Sequence, residues 1–553
     1  MNRIPVGMAL IGVLVGLPAA PASGTDDPAA AIARVRAEEQ ARIAVFDAAA
    51  RTVVCVFDDE QRGGGGSGVL ISPDGYGLTN VHVVASFLET RRGFGGLSDG
   101  DLYPLEVIGI DPGGDIALFR LGGRERFDFA PLGDSDRLVT GEWVAAMGNP
   151  FLLADDLTPT VTLGVISGLH RYQAGQGNML EYADCIQVSS SINPGNSGGP
   201  LFNLRGEVIG INGRASFEER GRVNVGVGYA VTINQVKRFL PCLMAGRLCE
   251  HGTLGATVIE DGGRLIFNAV ETGASADRAG VELGDELLAL GGATVRTANE
   301  VNNRLAILPA DWPVRIRVRR EGEVRELADR LDRLMIRQKS PWLLDWKQNH
   351  AFARRVFAGN AALRGIDLNR RPVALRGLWT VPDAAPVSVE LRISETGEES
   401  VRGGGADAAS VPAAGLLSGL AALVAPPRIS VGWEVRGGDE VDGRTVILIE
   451  RRARDGGGPR GAIRWKFDAE GGELRAITLV DDTGAERQSW RPDPTGEAAQ
   501  PDRPGAGGPE PGSAESATMA RDVALPRRWR VADGAVFEFQ QVEWASANNG
   551  GAQ

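Results

Sequence analysis

The sequence predicts a mainly β, multidomain fold, and three observations predict it. The chain has 553 residues, several times what one hydrophobic core organises, so roughly two to four domains are expected. From about 52 to 240, short runs rich in Val, Ile and Leu alternate with Gly, Asp and Pro turns, the pattern of a β-barrel or sandwich. The 75 glycines and 30 prolines supply those turns and at least one unstructured linker.

In chain order, residues 1–22 read as an export signal: Arg3 gives the charge, 4–17 are almost all apolar or Gly, and Ala20-Pro21-Ala22 offers a small-x-small cleavage site. The apolar run is short for a membrane span and Pro5 and Pro18 interrupt it, so the mature protein is expected to carry no transmembrane span and to be periplasmic or extracellular. Segment 23–51 is expected to be helical, with Ile32, Val35, Ile43 and Phe46 at helical spacing. Residues 52–245 form the β-rich domain, with strands expected at 53–57, 68–71, 105–110, 115–121, 143–147, 160–169, 207–211 and 225–231. A smaller module covers 250–332, with a helix at 298–308 and a closing strand at 315–319. Residues 340–490 make a β-rich domain of unknown function, opened by an amphipathic helix near 343–363 and followed by strands at 387–393, 428–435, 445–450, 462–467 and 474–480. Its alternation is faintly like the half-open barrels that carry apolar ligands; a β-rich domain for anchoring or partner contact is the competing reading. Residues 491–525 have the composition of a disordered Pro/Gly-rich linker, and 526–553 a strand-like segment and tail.

A net charge of −12 argues against nucleic acid as a partner, because phosphate binding needs basic patches. None of the four cysteines has the paired spacing of a zinc site, and no metal or organic cofactor is implied. Cys242 and Cys249 flank a turn and are the favoured disulfide pair; Cys55 and Cys185 sit in apolar runs, where a buried thiol and a bridge are both open readings.

Three segments carry chemistry. A serine hydroxyl needs a base to take its proton and donors to hold the oxyanion that forms. Gly195-Asn196-Ser197-Gly198-Gly199 allows a tight turn that exposes the Ser197 hydroxyl and aims the amides of this loop, Gly195, Asn196 and Ser197, at an oxyanion hole. Alone, the segment would read as a Gly-rich hairpin. His82, one of four histidines, follows a Gly-containing turn where a strand end can present an imidazole, and Asp115 opens an apolar run where its carboxylate can orient that ring. The order His, Asp, Ser in a β-rich domain is that of a chymotrypsin-type triad.

Gly66-Ser67-Gly68-Val69, Thr79-Asn80-Val81-His82-Val83-Val84, Asp115-Ile116-Ala117-Leu118, Gly148-Asn149-Pro150-Phe151 and the stretch around Ser197 resemble the HtrA/Deg proteases in order and spacing. The resemblance implies a chymotrypsin-like double β-barrel, with His82 and Asp115 from the first barrel and Ser197 from the second. It implies a serine endopeptidase that cleaves unfolded or damaged proteins, with His82 as general base then acid, Asp115 as its orienter and an acyl-enzyme on Ser197; a holdase or peptide sensor resting inactive in the same fold is the alternative. Residues 208–212 are expected to pair with extended substrate, with Ser189, Ile192, Ile211 and Asn212 shaping specificity and a small apolar pocket near Ile192 and Ile211. The module at 250–332 resembles a PDZ domain, with Thr253, Leu254, Gly255 and Ala256 as the loop for a peptide C-terminal carboxylate. Departures are Ser189, where the family commonly has Asp, and the short segment 58–66, where cage-forming relatives carry a long loop. A homo-oligomer such as a trimer is therefore expected at most, not the large assemblies.

Overall fold

The structure, a computed structural model, describes residues 28–61, 65–149, 156–173, 182–217, 224–334 and 345–363, with separate strands between 372 and 544. The export signal at 1–22 and residues 493–525 of the expected linker lie outside the described residues, as does part of 526–553; the first two residues of that linker, Arg491 and Pro492, instead close the strand Glu486–Pro492, held by pairing with Arg528–Val531.

Helix α1 (Pro28–Ala50) forms where the Ala-, Glu- and Arg-rich composition favours it. Only its last turn packs: Phe46 and Ala49 join the core, while Ile32, Val35 and Ile43 are exposed. Two closed six-stranded barrels follow. The first comprises β1 (Val53–Phe57), β2 (Gly66–Leu70), β3 (Tyr76–Thr79), β4 (Arg92–Gly96), β5 (Leu102–Asp111) and β6 (Ile116–Leu121), in the order β1-β2-β3-β6-β5-β4. The second comprises β7 (Trp143–Gly148), β8 (Thr160–Gln173), β9 (Tyr182–Val188), β10 (Pro200–Asn203), β11 (Val208–Phe217) and β12 (Asn224–Thr232), in the order β10-β11-β12-β9-β8-β7. β1, β2 and β3 are buried at every position, as expected of strands enclosed by a barrel interior on one face and a neighbouring layer on the other. One cluster, containing Val69, Leu78, Ile116, Phe202, Ile211 and Phe239, joins the facing sides of both barrels to helix α3 (Ile233–Met244).

Cys242 at the end of α3 is bonded to Cys249, with Cα atoms 5.9 Å apart, inside the span a disulfide requires. Cys55 and Cys185 are buried thiols outside any disulfide.

In the next module, strand Ala256–Asp261 forms one end of a sheet that continues through Arg264–Val270, Glu286–Leu290, Pro313–Arg320 and Glu323–Arg330. The expected closing strand at 315–319 is thus the inner half of a hairpin. Its partner, Glu323–Arg330, is poor in β-branched residues and is missed by propensity; cross-strand register, with Arg317 opposite Glu326, holds it in place. Helices α4 (Ser275–Ala279) and α5 (Ala298–Ala306) complete the module, and the Thr297 side chain caps α5 by accepting from the Glu300 amide.

Helix α6 (Trp346–Leu363) leads into a ten-stranded antiparallel sheet among the described residues. Its order runs from Glu399–Gly403 through Val387–Ile393 and Pro372–Thr380 to the last strand, Val536–Trp544, then back to Trp433–Val441. Of the strand expected at 428–435, residues 433–435 open the strand Trp433–Val441, which pairs with Arg444–Arg452 and runs six residues past the expected end; 428–432 lie outside the described residues. Phe357 of α6 sits edge-on to Trp433, Trp465 and Phe467, at 5.7, 5.7 and 5.1 Å between ring centroids. The sheet also meets both other units. Helix α3 packs on Trp433–Val441, and Arg330 of the small module forks onto Asp439, 2.9 and 3.2 Å away.

Candidate active site

Turn 111–115 between β5 and β6 places a carboxylate against the end of β3. Asp115 stands in the left-handed region at φ 55°, a conformation Asp tolerates better than most residues, so it lies one residue before the strand it was expected to open. The Asp111 carboxylate accepts from the Gly114 amide at 3.0 Å and from His251 Nε2 at 2.7 Å, which fastens the turn from its other end. The Asp115 carbonyl accepts from the Asn80 side chain at 2.8 Å and the Val81 amide at 3.3 Å.

Those two bonds bring His82 alongside. His82 lies in α2 (Val81–Val84), a single helical turn after β3, and not at a strand end. Its Nδ1 is 2.7 Å from Asp115 Oδ2, and its backbone N–H donates to Asp115 Oδ1 at 3.1 Å. The carboxylate is fully buried, whereas the imidazole is 43% exposed and so open to a reactant. Burial pulls the His82 pKa down, but the hydrogen bond and charge of Asp115 outweigh it and leave the pKa above the ordinary histidine value.

The Ser197 loop comes from the second barrel and docks on the first. Ser67 Oγ donates to Gly195 O at 2.6 Å, and the Ser67 amide donates to Ser197 O at 2.8 Å. A side chain on Gly198, at φ 82°, would lie 2.2 Å from both Ser67 O and Thr79 Oγ1, so only glycine lets the loop approach this closely. Gly195, at φ 105°, turns the chain so that the Asn196 amide donates back to Asn193 O at 3.0 Å. Asn196 is thereby removed from the expected oxyanion donors. Among the described residues, the amides of Gly195 and Ser197 make no other backbone bond. The Ser197 hydroxyl donates to Gly213 O at 3.1 Å.

The expected specificity residues divide. Asn212 is fully buried and braces the Ser197 loop: its carbonyl accepts from the Gly198 amide, its amide donates to Gly199 O, and its side chain donates to Pro200 O at 2.9 Å. Ile211 and Ile192 are buried in separate clusters, so the structure does not bring them together as one pocket. Ser189 is exposed at the end of β9, where its hydroxyl accepts from the Val165 amide at 2.9 Å. Residues 210–212 are already bonded on both sides, to 198–201 and to β12, and Val208 lies between β10 and the segment 131–133, which rules this stretch out as the edge for an added strand. β10 ends its pairing at Ile211, and β11 runs on to Phe217. At 213–217, β11 is therefore paired with β12 alone, and its other side is an open edge.

In the small module, Thr253 belongs to the two-residue strand Gly252–Thr253, paired with Asp332–Arg333. Leu254 is buried, its carbonyl accepting from Ala276, and the Gly255 amide donates to the Thr253 hydroxyl at 3.2 Å. Ala256 then begins the sheet's edge strand. Two functional neighbours carried no sequence signal. Tyr182 has its hydroxyl on Asp115, and Asn303 of α5 bridges His170 O and the Asp184 amide at 2.8 and 2.9 Å, joining the small module to the second barrel.

The trypsin-like peptidase domain family matches residues 66–211, and the PDZ domain family matches residues 252–329. The fold and the His82–Asp115 pair thus define a double-barrelled, trypsin-like serine peptidase domain followed by a PDZ domain. A Synechocystis sp. (strain ATCC 27184 / PCC 6803 / Kazusa) protein named as serine protease HhoB is 35% identical over 295 residues, spanning 49% of this chain and 67% of the relative. The chain belongs to the HtrA/Deg family of serine proteases. A periplasmic serine endoprotease DegP-like protein of Chlamydia pneumoniae is 35% identical over 274 residues, 47% of this chain and 54% of the relative. A solved structure of the HtrA-type protease AlgW with a tripeptide is 28% identical, with a TM-score of 0.44, over 53% of this chain and 98% of that one. The chain spans about half the length of most of the curated relatives it matches.

Proposed function

We propose that the chain is an exported, periplasmic serine endopeptidase that cleaves unfolded or damaged proteins through Ser197, His82 and Asp115. The observation that carries the reading is the buried Asp115 carboxylate holding both the ring and the backbone of a solvent-open His82, with the glycine-rich Ser197 loop docked on Ser67 and on Thr79 and Asn80, just before that histidine. His82 takes the Ser197 proton as the hydroxyl attacks the peptide carbonyl, then returns it to the leaving amine; water hydrolyses the acyl-enzyme by the same route. The amides of Gly195 and Ser197 hold the oxyanion.

An extended substrate adds to the unpaired edge at 213–217 by backbone hydrogen bonds, which favours broad specificity. A substrate amide donating to Gly213 O would compete with the Ser197 hydroxyl for that acceptor and turn it toward His82. At the PDZ domain, a peptide C-terminus adds to the edge strand Ala256–Asp261, with its carboxylate at the turn formed by Leu254 and Gly255. A trimer is the assembly the family relationship favours. The periplasmic assignment rests on the relatives' names; no helix among the described residues is long and apolar enough to cross a membrane.

Incubating the full chain with unfolded casein and a fluorophosphonate probe tests this reading. Cleavage and labelling that both vanish in Ser197→Ala are expected; an unlabelled, inert parent overturns it.

A further inference from the structure

The first residue of β9 reaches the triad from a direction the motif does not include. Tyr182 is 5% exposed, and its hydroxyl donates to Asp115 Oδ2, the oxygen that also meets His82 Nδ1 at 2.7 Å. Its ring lies against Gly213: a side chain on Gly213 would come within 2.5 Å of a ring carbon and 3.0 Å of the phenol oxygen. Gly213 O is the acceptor of the Ser197 hydroxyl, at 3.1 Å. One phenol therefore touches the group that orients the base and the peptide that holds the nucleophile.

We propose that Tyr182 is a positioning residue for the triad, its hydroxyl fixing the plane of the Asp115 carboxylate and its ring fixing the Gly213 carbonyl. The proposal rests on the peptidase reading above. A fully buried carboxylate is stable when donors surround it, and Asp115 has three: the His82 ring, the His82 amide and Tyr182. Two of them share Oδ2. The phenol therefore draws off part of the charge that would otherwise hold a proton on His82, which keeps more of the base neutral and ready. Asp115 is the charged group that acts on His82, and Tyr182 is the titratable side chain facing Asp115 from β9.

The same geometry explains a constraint on sequence at 213. The ring fills the space that any side chain there would need, so Gly213 and Tyr182 are a matched pair.

The test compares the full parent chain with Tyr182→Phe, which keeps the ring and removes the donor. The His82 titration is followed by NMR with labelled histidine; four histidines make assignment by a His82→Gln control direct. In Tyr182→Phe the His82 midpoint is expected to rise by about half a pH unit or more, because Oδ2 then serves one side-chain donor. On a casein-derived peptide, kcat falls about tenfold with KM within about twofold, and the acid limb of the rate profile moves up with the midpoint. Replacing Tyr182 by 3-fluorotyrosine, a stronger donor of nearly the same shape, is expected to shift the midpoint the other way; this arm also decides the matter if Tyr182→Phe fails to fold. A midpoint unmoved in either folded variant overturns the proposal whatever the activity. If the midpoint moves while the parent neither cleaves nor labels, the peptidase reading falls and the positioning role stands.

Discussion

Asp115 combines left-handed backbone geometry, complete burial and bonds from four donors outside the phenol: the His82 ring, the His82 amide, the Asn80 side chain and the Val81 amide. A residue held in a sparsely populated conformation persists only where its surroundings over-determine it, and here they do. Asp115→Asn preserves the shape but reverses one hydrogen bond to His82, and is expected to lower kcat about 10⁴-fold with KM little changed, measured by steady-state kinetics. Because the Asp115 interaction raises the His82 pKa, activity should decline as pH falls through a midpoint above the ordinary histidine value of 6.5, read from kcat/KM against pH. The same shift makes the pair stabilising below the ordinary histidine value, a contribution lost as pH rises through the raised one. Gly198→Ala places a Cβ 2.2 Å from Ser67 O in a positive-φ position; displacement of the Ser197 loop, with loss of fluorophosphonate labelling, is the expected outcome. At this scale motif order and glycine spacing single out His82, Asp115 and Ser197 in the sequence, and the structure brings the first two into contact. The sequence did not disclose Tyr182 or the bracing role of Asn212, whose partners lie 67 and about a dozen residues away and depend on how strands register.

Among elements, strand positions were largely legible because turn residues bracket apolar runs; their ends were not. β11 extends six residues past its expected end, to Phe217, since pairing with β12 continues there after pairing with β10 stops, and propensity carries no information on partners. The helix at the rim of the PDZ domain shows a similar limit. α5 was expected from its pattern, yet nothing local marks Asn303 as the residue through which it grips the second barrel. Asn303 is 5% exposed and serves the His170 carbonyl and the Asp184 amide, so Asn303→Ala should cost about 1 kcal/mol, seen as a lower midpoint in denaturant unfolding.

The whole molecule is tied together at its third unit. Arg330 of the PDZ domain and Lys466 of the C-terminal sheet both pair with Asp439, which is fully buried, and both reach Glu486. Burial opposes the charge on Asp439, but Arg330 and Lys466 outweigh it and hold its carboxyl below the usual range. Its contribution is therefore present above the ordinary carboxylate pKa and is lost as pH falls through that value toward the depressed one. Arg330→Met should cost about 3–5 kcal/mol of docking and unfolding stability, visible as faster hydrogen exchange along Trp433–Val441. None of this was readable from composition, because an ion pair 109 residues apart leaves no periodic trace.

Both barrels close on themselves, so their staves present no continuous row of unpaired amides and carbonyls. For a protein proposed to work among unfolded chains, that closure is a defence as well as a scaffold. Loose polypeptide seeks strand edges, and a sheet with long open flanks would be fouled by its own clientele or by other copies of itself. Within the barrels capture is confined to the short overhang where β11 outruns β10; outside them, Ala256–Asp261 borders the PDZ sheet, and the ten-stranded sheet ends in the five-residue strand Glu399–Gly403 on one side and in Trp433–Val441, packed on α3, on the other. On the closed barrels, the place where a chain can stick is thus the place where sticking is useful.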